Sequence, residues 1–524
     1  MGKHNISTLG LLFASVSAIL GSGWLFASYY TSMYAGYASI VSWIIGAILV
    51  TIIAFVFAEV CTSVPVSGSS TRIPHYTHGT TTSYTFSWII WLSYLTLAPT
   101  EVQAIIQYMS FYFPTLVHGN GGLTGHGLIL AIVLMLIVTI LNGYSLRWLL
   151  KANTFLTVFK LIIPLFIGVV VLYHFLPGSN LLTNMTNDFA PFGAHGTMQA
   201  VSIGGIAFAF TGFKIAAEMA DSTKNPKVAL PVAIIGSIAI CLVIFIILQF
   251  AFLASIHVNE GDTSWTNLTS NDQFGPFATI AKQGGIEWLI PFIFAGAIIG
   301  PFAAGLMYFG SAARSLHGMS SNGYLPSILT KLSPTGVPRA SITVSFLVGM
   351  IMFAPFPGWN EMVKFLTALM AMTYLTASTS LITLRHRLPE LNRPFKLIAG
   401  KTWSVLGFFA STLIIYWSGW DVISKVGITV LIGLAVLFIY LKVDRKSIPL
   451  NIKQSIWIWV YLIGITLISY LGNYGGIGLI HPAIAFILMG ILSIVSMLIA
   501  MVFTLPTDVI SSNIKKALSN KYQM

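Results

Sequence analysis

Long apolar stretches separated by short polar loops make up most of the chain. A bilayer core about 30 Å thick requires about 20 apolar residues per helical crossing. By that measure the pattern predicts fourteen helices, near residues 7–34, 37–63, 83–113, 126–143, 152–176, 198–218, 229–254, 287–313, 339–356, 361–384, 402–418, 422–442, 456–472 and 481–504. Two of them are interrupted by glycine. The first, ISTLGLLFASVSAILGSGWLFAS, breaks at Gly21-Ser22-Gly23, and the sixth lies in Ser202 to Pro226, SIGGIAFAFTGFKIAAEMADSTKNP, where Gly204, Gly205 and Gly212 flank Phe208-Ala209-Phe210. Glycine weakens a helix by about 1 kcal/mol relative to alanine and tolerates non-helical dihedrals, so an unwound segment is expected at each. In hydrocarbon a break survives where its freed backbone groups line a cavity or ligand site; the other use of such glycines is tight packing of an intact helix. The spacing of the two breaks predicts an inverted five-plus-five repeat, about residues 7–176 and 198–384, with a ligand site at the midplane between them. The last four helices lie outside the repeat.

Composition agrees. With 56% hydrophobic and 8% charged residues in 524, and mean hydropathy of +0.85, the chain is an all-α polytopic membrane protein. The first apolar stretch is too long for a signal-peptide core and lacks a small-residue cleavage site, which predicts a retained span and a cytoplasmic N-terminus. Lys and Arg then gather in loops on the cytoplasmic side, from Lys3 and Arg72 to Arg445, Lys446 and Lys516; only Lys282 and Lys425 fall clearly outside. Asp188, Glu260, Asp262, Asp272 and Asp421 take the opposite side. The net charge of +12 follows from this topology, so no nucleic-acid partner is called for. Cys61 and Cys241 are the only cysteines, which excludes a disulfide framework and a cysteine metal cluster. The histidines sit at span ends or in loops without ligand spacing, and no hydrolase or nucleotide-binding motif has its supporting context. Neither metal, cofactor nor enzymatic activity is expected.

Ionisable residues inside spans are costly, and each is a functional candidate. Four stand out: Glu101 in LTLAPTEVQAII, Lys160 in NTFLTVFKLIIPLF, and Lys214 and Glu218 after the sixth-helix break. Burial disfavours the charged form, so Lys160 or Glu101 could exchange a proton during a functional cycle; a static cation or a hydrogen-bonded staple between helices is the alternative for each. Lys214 and Glu218 are spaced i,i+4 and can pair with one another.

Three loops complete the picture: Glu59 to Gly79, EVCTSVPVSGSSTRIPHYTHG; Ala312 to Pro338, AARSLHGMSSNGYLPSILTKLSPTGVP; and Arg385 to Pro394, RHRLPELNRP. With GSGW in the first helix and FAFTGF followed by TKNP in the sixth, the chain over about residues 7–400 resembles an amino-acid permease of the amino acid–polyamine–organocation superfamily, and within it the aspartate–proton-symporter-like branch. The resemblance implies a LeuT-type fold with helices 1 and 6 broken. It also implies a transporter core at residues 1–400, with further helices and a cytoplasmic tail at 401–524. In such a fold the substrate α-carboxylate meets the free amides of Ser22 and Gly23 beside Gly21, since a helix N-terminus carries partial positive charge. The α-amine meets carbonyls of Ile19, Leu20, Phe208 and Ala209, with Phe210 as an aromatic lid and Thr211 and Gly212 completing the lining. Lys160 resembles the lysine that sodium-independent members carry near broken helix one. The stretch Trp288 to Tyr308, WLIPFIFAGAIIGPFAAGLMY, has no Ser or Thr to coordinate sodium as sodium-coupled members do. Lys214 departs from the acidic residue that follows GF in many members and favours an anionic substrate. The expected activity is amino acid–proton symport by alternating access across a bacterial inner (plasma) membrane. An amino-acid or polyamine antiporter is the alternative, and a channel the third possibility, disfavoured because it needs a continuous polar-lined pore rather than two broken helices.

Overall fold

The computed structural model describes residues 6–66, 68–144, 146–220, 223–256, 265, 268, 274–334, 336–444 and 449–523. The charges assigned to opposite sides at Lys3, Arg445, Lys446, Glu260, Asp262 and Asp272 lie outside these residues. Within them every regular element is helical, apart from the isolated bridges Ile6–Thr223 and Val117–Leu123.

The chain opens with α1 (Thr8–Ile19) and α2 (Gly23–Ala35), then α3 (Ser39–Ser63), a short α4 (Ser69–His78) and α5 (Thr80–Met109). Hydropathy does not predict α4, because its residues are largely polar. Next come α6 (Gly125–Asn142), α7 (Leu146–Phe175), α8 (Leu181–Asn187) and three short pieces: α9 (Gly193–Ile203), α10 (Ile206–Ala209) and α11 (Lys214–Glu218). The second half comprises α12 (Pro226–Ser255), α13 (Pro276–Gln283), α14 (Ile290–Ser321), α15 (Arg339–Ile351) and α16 (Gly358–Arg387). The chain closes with α17 (Gly400–Trp417), α18 (Trp420–Asp444), α19 (Ile456–Leu471), α20 (Pro482–Val502) and α21 (Thr507–Gln523). Local chemistry sets several starts. Ser7 Oγ accepts the Gly10 amide (3.1 Å) to cap α1, and proline occupies the first turn of α12 and α20, where its missing N–H costs nothing.

Among the described residues ten helices are each long and apolar enough to cross a membrane, and an eleventh span results if the pair Gly193–Ala209 and Thr211–Glu218, bent by 41°, counts as one. The protein is therefore a multi-pass helical membrane protein. Of the expected stretches, 7–34 is represented only by its second part, counted with α3 in the run Gly23–Ser63, and 339–356 and 402–418 are not in that set. The first is divided between α1 and α2. At 13 residues α15 rises about 20 Å, short of a core of about 30 Å, and the third stretch is the 18-residue α17.

Helices α5 and α16 are buried throughout their apolar windows and form the centre of the molecule; α14 lies along α5, and α17 along α16. Outer helices reverse the rule for soluble proteins: α6, α18 and α20 expose Ile129, Ile140, Leu431, Phe438, Ile487 and Val502, the surface that lipid chains would cover. Two polar clusters tie the interior together. Gln249 of α12 accepts Trp43 Nε1–H (2.9 Å) and donates to Ser32 Oγ (2.9 Å), joining α12 to α3 and α2. At the end of α3, Glu59 is fully buried and accepts Arg385 Nε and Nη2 (2.8 and 2.7 Å) and the Leu397 amide (2.8 Å), with Arg393 Nε at 3.6 Å. Two of the loops singled out by sequence, after α3 and after α16, thus meet on one carboxylate.

Removing one partner from a buried ion pair leaves an uncompensated charge. Glu59→Gln is expected to lower stability by about 3 kcal/mol, read as a fall in melting temperature of the detergent-purified protein, and adding Arg385→Met is expected to restore part of it. An unchanged melting temperature for Glu59→Gln would show that the cluster is dispensable.

Candidate functional site

Helix α1 stops at Ile19 because Leu20 leaves the helical region (φ −83°, ψ 63°), and helix resumes only at Gly23. Its counterpart stops at Ile203. Gly205 adopts φ 94°, a conformation that other residues rarely reach, and a Cβ there would stand 3.1 Å from the Trp359 ring. One turn of α10 and a 3₁₀ turn at Thr211–Phe213 follow before α11. These two interruptions touch. A Cβ on Gly23 would lie 3.0 Å from that of Ala209, and a Cβ on Gly212 would overlap the backbone of Ala18 and Ile19. Gly23 is therefore brought against Phe208 and Ala209, and Ile19 against Gly212, with almost no side chain between, while Gly21 faces Glu101 and Ala304 instead.

Three side chains from other helices close on this contact. Glu101 of α5, 2% exposed, accepts the Ser22 amide on Oε2 at 2.8 Å, and a Cβ on Gly21 would fall on its Oε1. Lys160 of α7, 3% exposed, donates to the Ser17 carbonyl and to Ser17 Oγ (3.1 Å), one turn earlier on α1. The two opposite charges also act on one another. Trp359, at the start of α16, donates from Nε1 to Ser22 Oγ (2.8 Å) and stacks on Phe26 and Tyr30 (centroids 4.8 and 5.7 Å), with Phe208 edge-on at 5.8 Å. Its neighbour Asn360 donates from Nδ2 to the carbonyl of Ile203, where α9 ends (3.3 Å). The beginning of α16 thus bonds to both interruptions.

Several expectations change in detail. The Ser22 amide, expected free for a ligand, is occupied by Glu101. Of the carbonyls assigned to an amine, Ile19 accepts the Gly21 amide (3.0 Å) and keeps a second lone pair, whereas Phe208 accepts both the Phe210 amide and the Thr211 hydroxyl (2.9 Å). Phe210 does not lie over the contact. Its ring packs on Trp43 and Phe245 (5.8 and 5.4 Å), because its place at the end of α10 turns it towards α3 and α12; Phe208 is the ring that meets Trp359. Lys214 is buried apart from the Glu101–Lys160 pair. It donates to Thr373 Oγ1 (3.0 Å), lies 3.9 Å from Glu218, and sits over the Tyr94 ring at 5.2 Å, whose hydroxyl donates to Glu218 (3.2 Å). Trp359 and Asn360 escape a reading by hydropathy, which starts that span at 361. The signal available was Gly358, which takes φ 86° and lets the helix begin earlier.

Comparison with known proteins agrees with this architecture. A family model described as amino acid permease matches residues 6–468. The chain is 33% identical over 503 residues to the glutamate/serine transporter AimA of Bacillus subtilis (strain 168), covering 94% of this chain and 92% of that protein. It is 32% identical over 495 residues to the aspartate-proton symporter of the same organism, covering 93% and 94%. The branched-chain amino acid permease BcaP of that bacterium is 24% identical over 462 residues, 86% and 95% of the two chains. Because the family match runs through both interruptions and most of the helices around them, the chain belongs to the amino acid permease family, whose members here are transporters and not enzymes.

Proposed function

We propose that the protein is a proton-coupled amino-acid symporter of the bacterial plasma membrane, working by alternating access. The observation that carries this reading is the pair of buried opposite charges, Glu101 and Lys160, bonded to the turns on either side of the first interruption. A buried carboxylate and ammonium can change protonation as access switches between the two sides, which a permanently hydrated surface pair would not do. The stretch Trp288 to Tyr308, most of it in α14, offers no hydroxyl from Ser or Thr for sodium, and Lys160 supplies positive charge instead. One relative carries aspartate–proton symport in its name and another glutamate and serine, which supports an amino-acid substrate and protons as the coupled ion.

In this reading the chain crosses the membrane fourteen times, with α1–α2 and α9–α11 each a single broken span. Residues 1–400 form the transporter core, built from inverted repeats at 7–176 and 198–384, and both termini face the cytoplasm. The substrate lies between Gly21, Ser22 and Gly23 on one side and Phe208 to Gly212 on the other. Lys214 favours an acidic substrate side chain, an effect that Glu218 offsets in part. An exchanger is the second reading, favoured by the two Ser17 acceptors that suit an ammonium charged throughout the cycle.

In proteoliposomes a pH gradient, alkaline inside, is expected to drive accumulation of L-aspartate or L-serine in sodium-free buffer. Counterflow of labelled substrate would separate a carrier from a channel. Lys160→Ala is expected to lose the pH drive while keeping counterflow; accumulation that requires sodium, or that keeps its pH dependence in this variant, defeats proton coupling. Gly23→Leu, whose side chain would enter the contact with Ala209, is expected to abolish uptake without preventing membrane insertion, and normal uptake would move the site elsewhere. Lys214→Gln is expected to raise KM for L-aspartate about tenfold relative to L-serine, equivalent to ~1.4 kcal/mol; an unchanged ratio would make Lys214 structural.

A further inference from the structure

The seat at which a substrate carboxylate would dock is already held by a carboxylate of the protein. Glu101 reaches from α5 to the first amide before α2, and Gly21 leaves no Cβ where its second oxygen lies. A second, independent observation concerns α14. Tyr308, 1% exposed, has a buried hydroxyl without a hydrogen-bond partner among the described residues, on the helix that packs along α5. Buried hydroxyls without a partner are uncommon, and this one comes from the stretch of α14 that packs against Glu101: a Cβ on Gly305, three residues earlier, would lie 3.4 Å from the Glu101 Cβ.

We propose that Glu101 is a tethered stand-in for the substrate α-carboxylate: it holds the Ser22 amide until, once protonated, it yields that seat to the substrate and turns to the Tyr308 hydroxyl. This rests on the symport reading and supplies its coupling step. The Ser22 amide has one hydrogen to donate, and two anionic carboxylates side by side in a buried site repel one another, so ionised Glu101 and bound substrate exclude each other. Neutral Glu101 has no such conflict. The proton enters from the outer solution onto a Glu101 carboxyl oxygen and the amino acid follows. When the amino acid leaves on the inner side the proton leaves too, and anionic Glu101 returns to the amide. Among the described residues the titratable groups facing Glu101 are Lys160 from α7 and Tyr308 from α14. Lys160 keeps the docked carboxylate from being an unpaired buried anion, which explains why its loss would remove the pH drive.

The test is calorimetric binding of L-aspartate, and of L-serine, to the full-length protein across pH, in buffers of different ionisation heat. Wild type is expected to take up about one proton per amino acid bound, with Kd rising about tenfold per pH unit where Glu101 is ionised in the free protein. The sign follows from exclusion: raising the pH keeps Glu101 docked and weakens binding. Glu101→Gln is expected to bind with no proton uptake and a flat pH profile, and to retain counterflow while losing pH-driven accumulation. Should that variant fail to fold, Gly21→Ala places a methyl group 2.4 Å from Oε1, too close for Glu101 to stay docked, and is expected to flatten the same profile. Wild-type binding without proton uptake, or a tenfold slope that persists in either variant, overturns the role of Glu101 while leaving symport standing if wild-type vesicles still accumulate substrate. Vesicles that accumulate no amino acid under a pH gradient overturn the symport reading and this proposal together.

Discussion

Two segments of backbone that have left the helix are pressed against one another at the centre of the protein, and this contact constrains what surrounds it. Gly23 against Ala209, and Gly212 against Ile19, allow an approach that a side chain at either glycine would prevent. Neither segment can satisfy its polar groups within a regular helix, so neighbours must do so. Glu101 takes the Ser22 amide, Trp359 the Ser22 hydroxyl, Asn360 the Ile203 carbonyl and Thr211 the Phe208 carbonyl. Thr211 belongs to the second interruption itself, but the other three partners come from α5 and α16, the two helices buried along their full apolar windows. The demand for polar partners at the contact is thus met from the most enclosed elements of the structure.

Charge follows the same logic. Each of these buried ionic groups is bonded to fixed oxygen or nitrogen atoms, and two of them also to an opposite charge: Glu59 to two arginines and an amide, Lys214 to Thr373 with Glu218 alongside, and Lys160 to both oxygens of Ser17. Desolvation makes an unpaired charge untenable in such surroundings. The clusters differ in what they touch. Glu59 joins a helix end to the loop after α16, bonds to neither interruption, and serves cohesion. Glu101 and Lys160 touch the turns of the first interruption itself, where a change of protonation alters the bonds of the backbone that a substrate would use.

Loops that looked unrelated in sequence prove to be neighbours for the same reason. The stretch beginning at Glu59 and the one beginning at Arg385 were separable motifs along the chain, more than three hundred residues apart. A carboxylate and a guanidinium have complementary geometry, and burial makes their pairing obligatory once α3 and α16 pack together. The last helices add an outer layer: α17 packs on both α3 and α16, and α20 on α17.

The class of protein, the approximate extent of most helices and the positions of both interruptions were legible in the sequence. Hydropathy is summed over some twenty residues and so survives local error, and glycine is the residue that loses helix most readily. Glu101, Lys160 and Lys214 were legible as well, because an ionisable residue within an apolar run needs a reason to be there. What each one bonds was not. That Glu101 occupies the Ser22 amide, that Phe210 turns towards α3 and α12 while Phe208 meets Trp359, and that Trp359 and Asn360 reach the interruptions depends on the rotation of helices about their axes and on contacts across 79 to 337 residues of chain. A one-dimensional pattern records how apolar a helix is; which of its faces meets which neighbour is decided only when all the helices pack at once, because each helix's rotation is set by the side chains of the others.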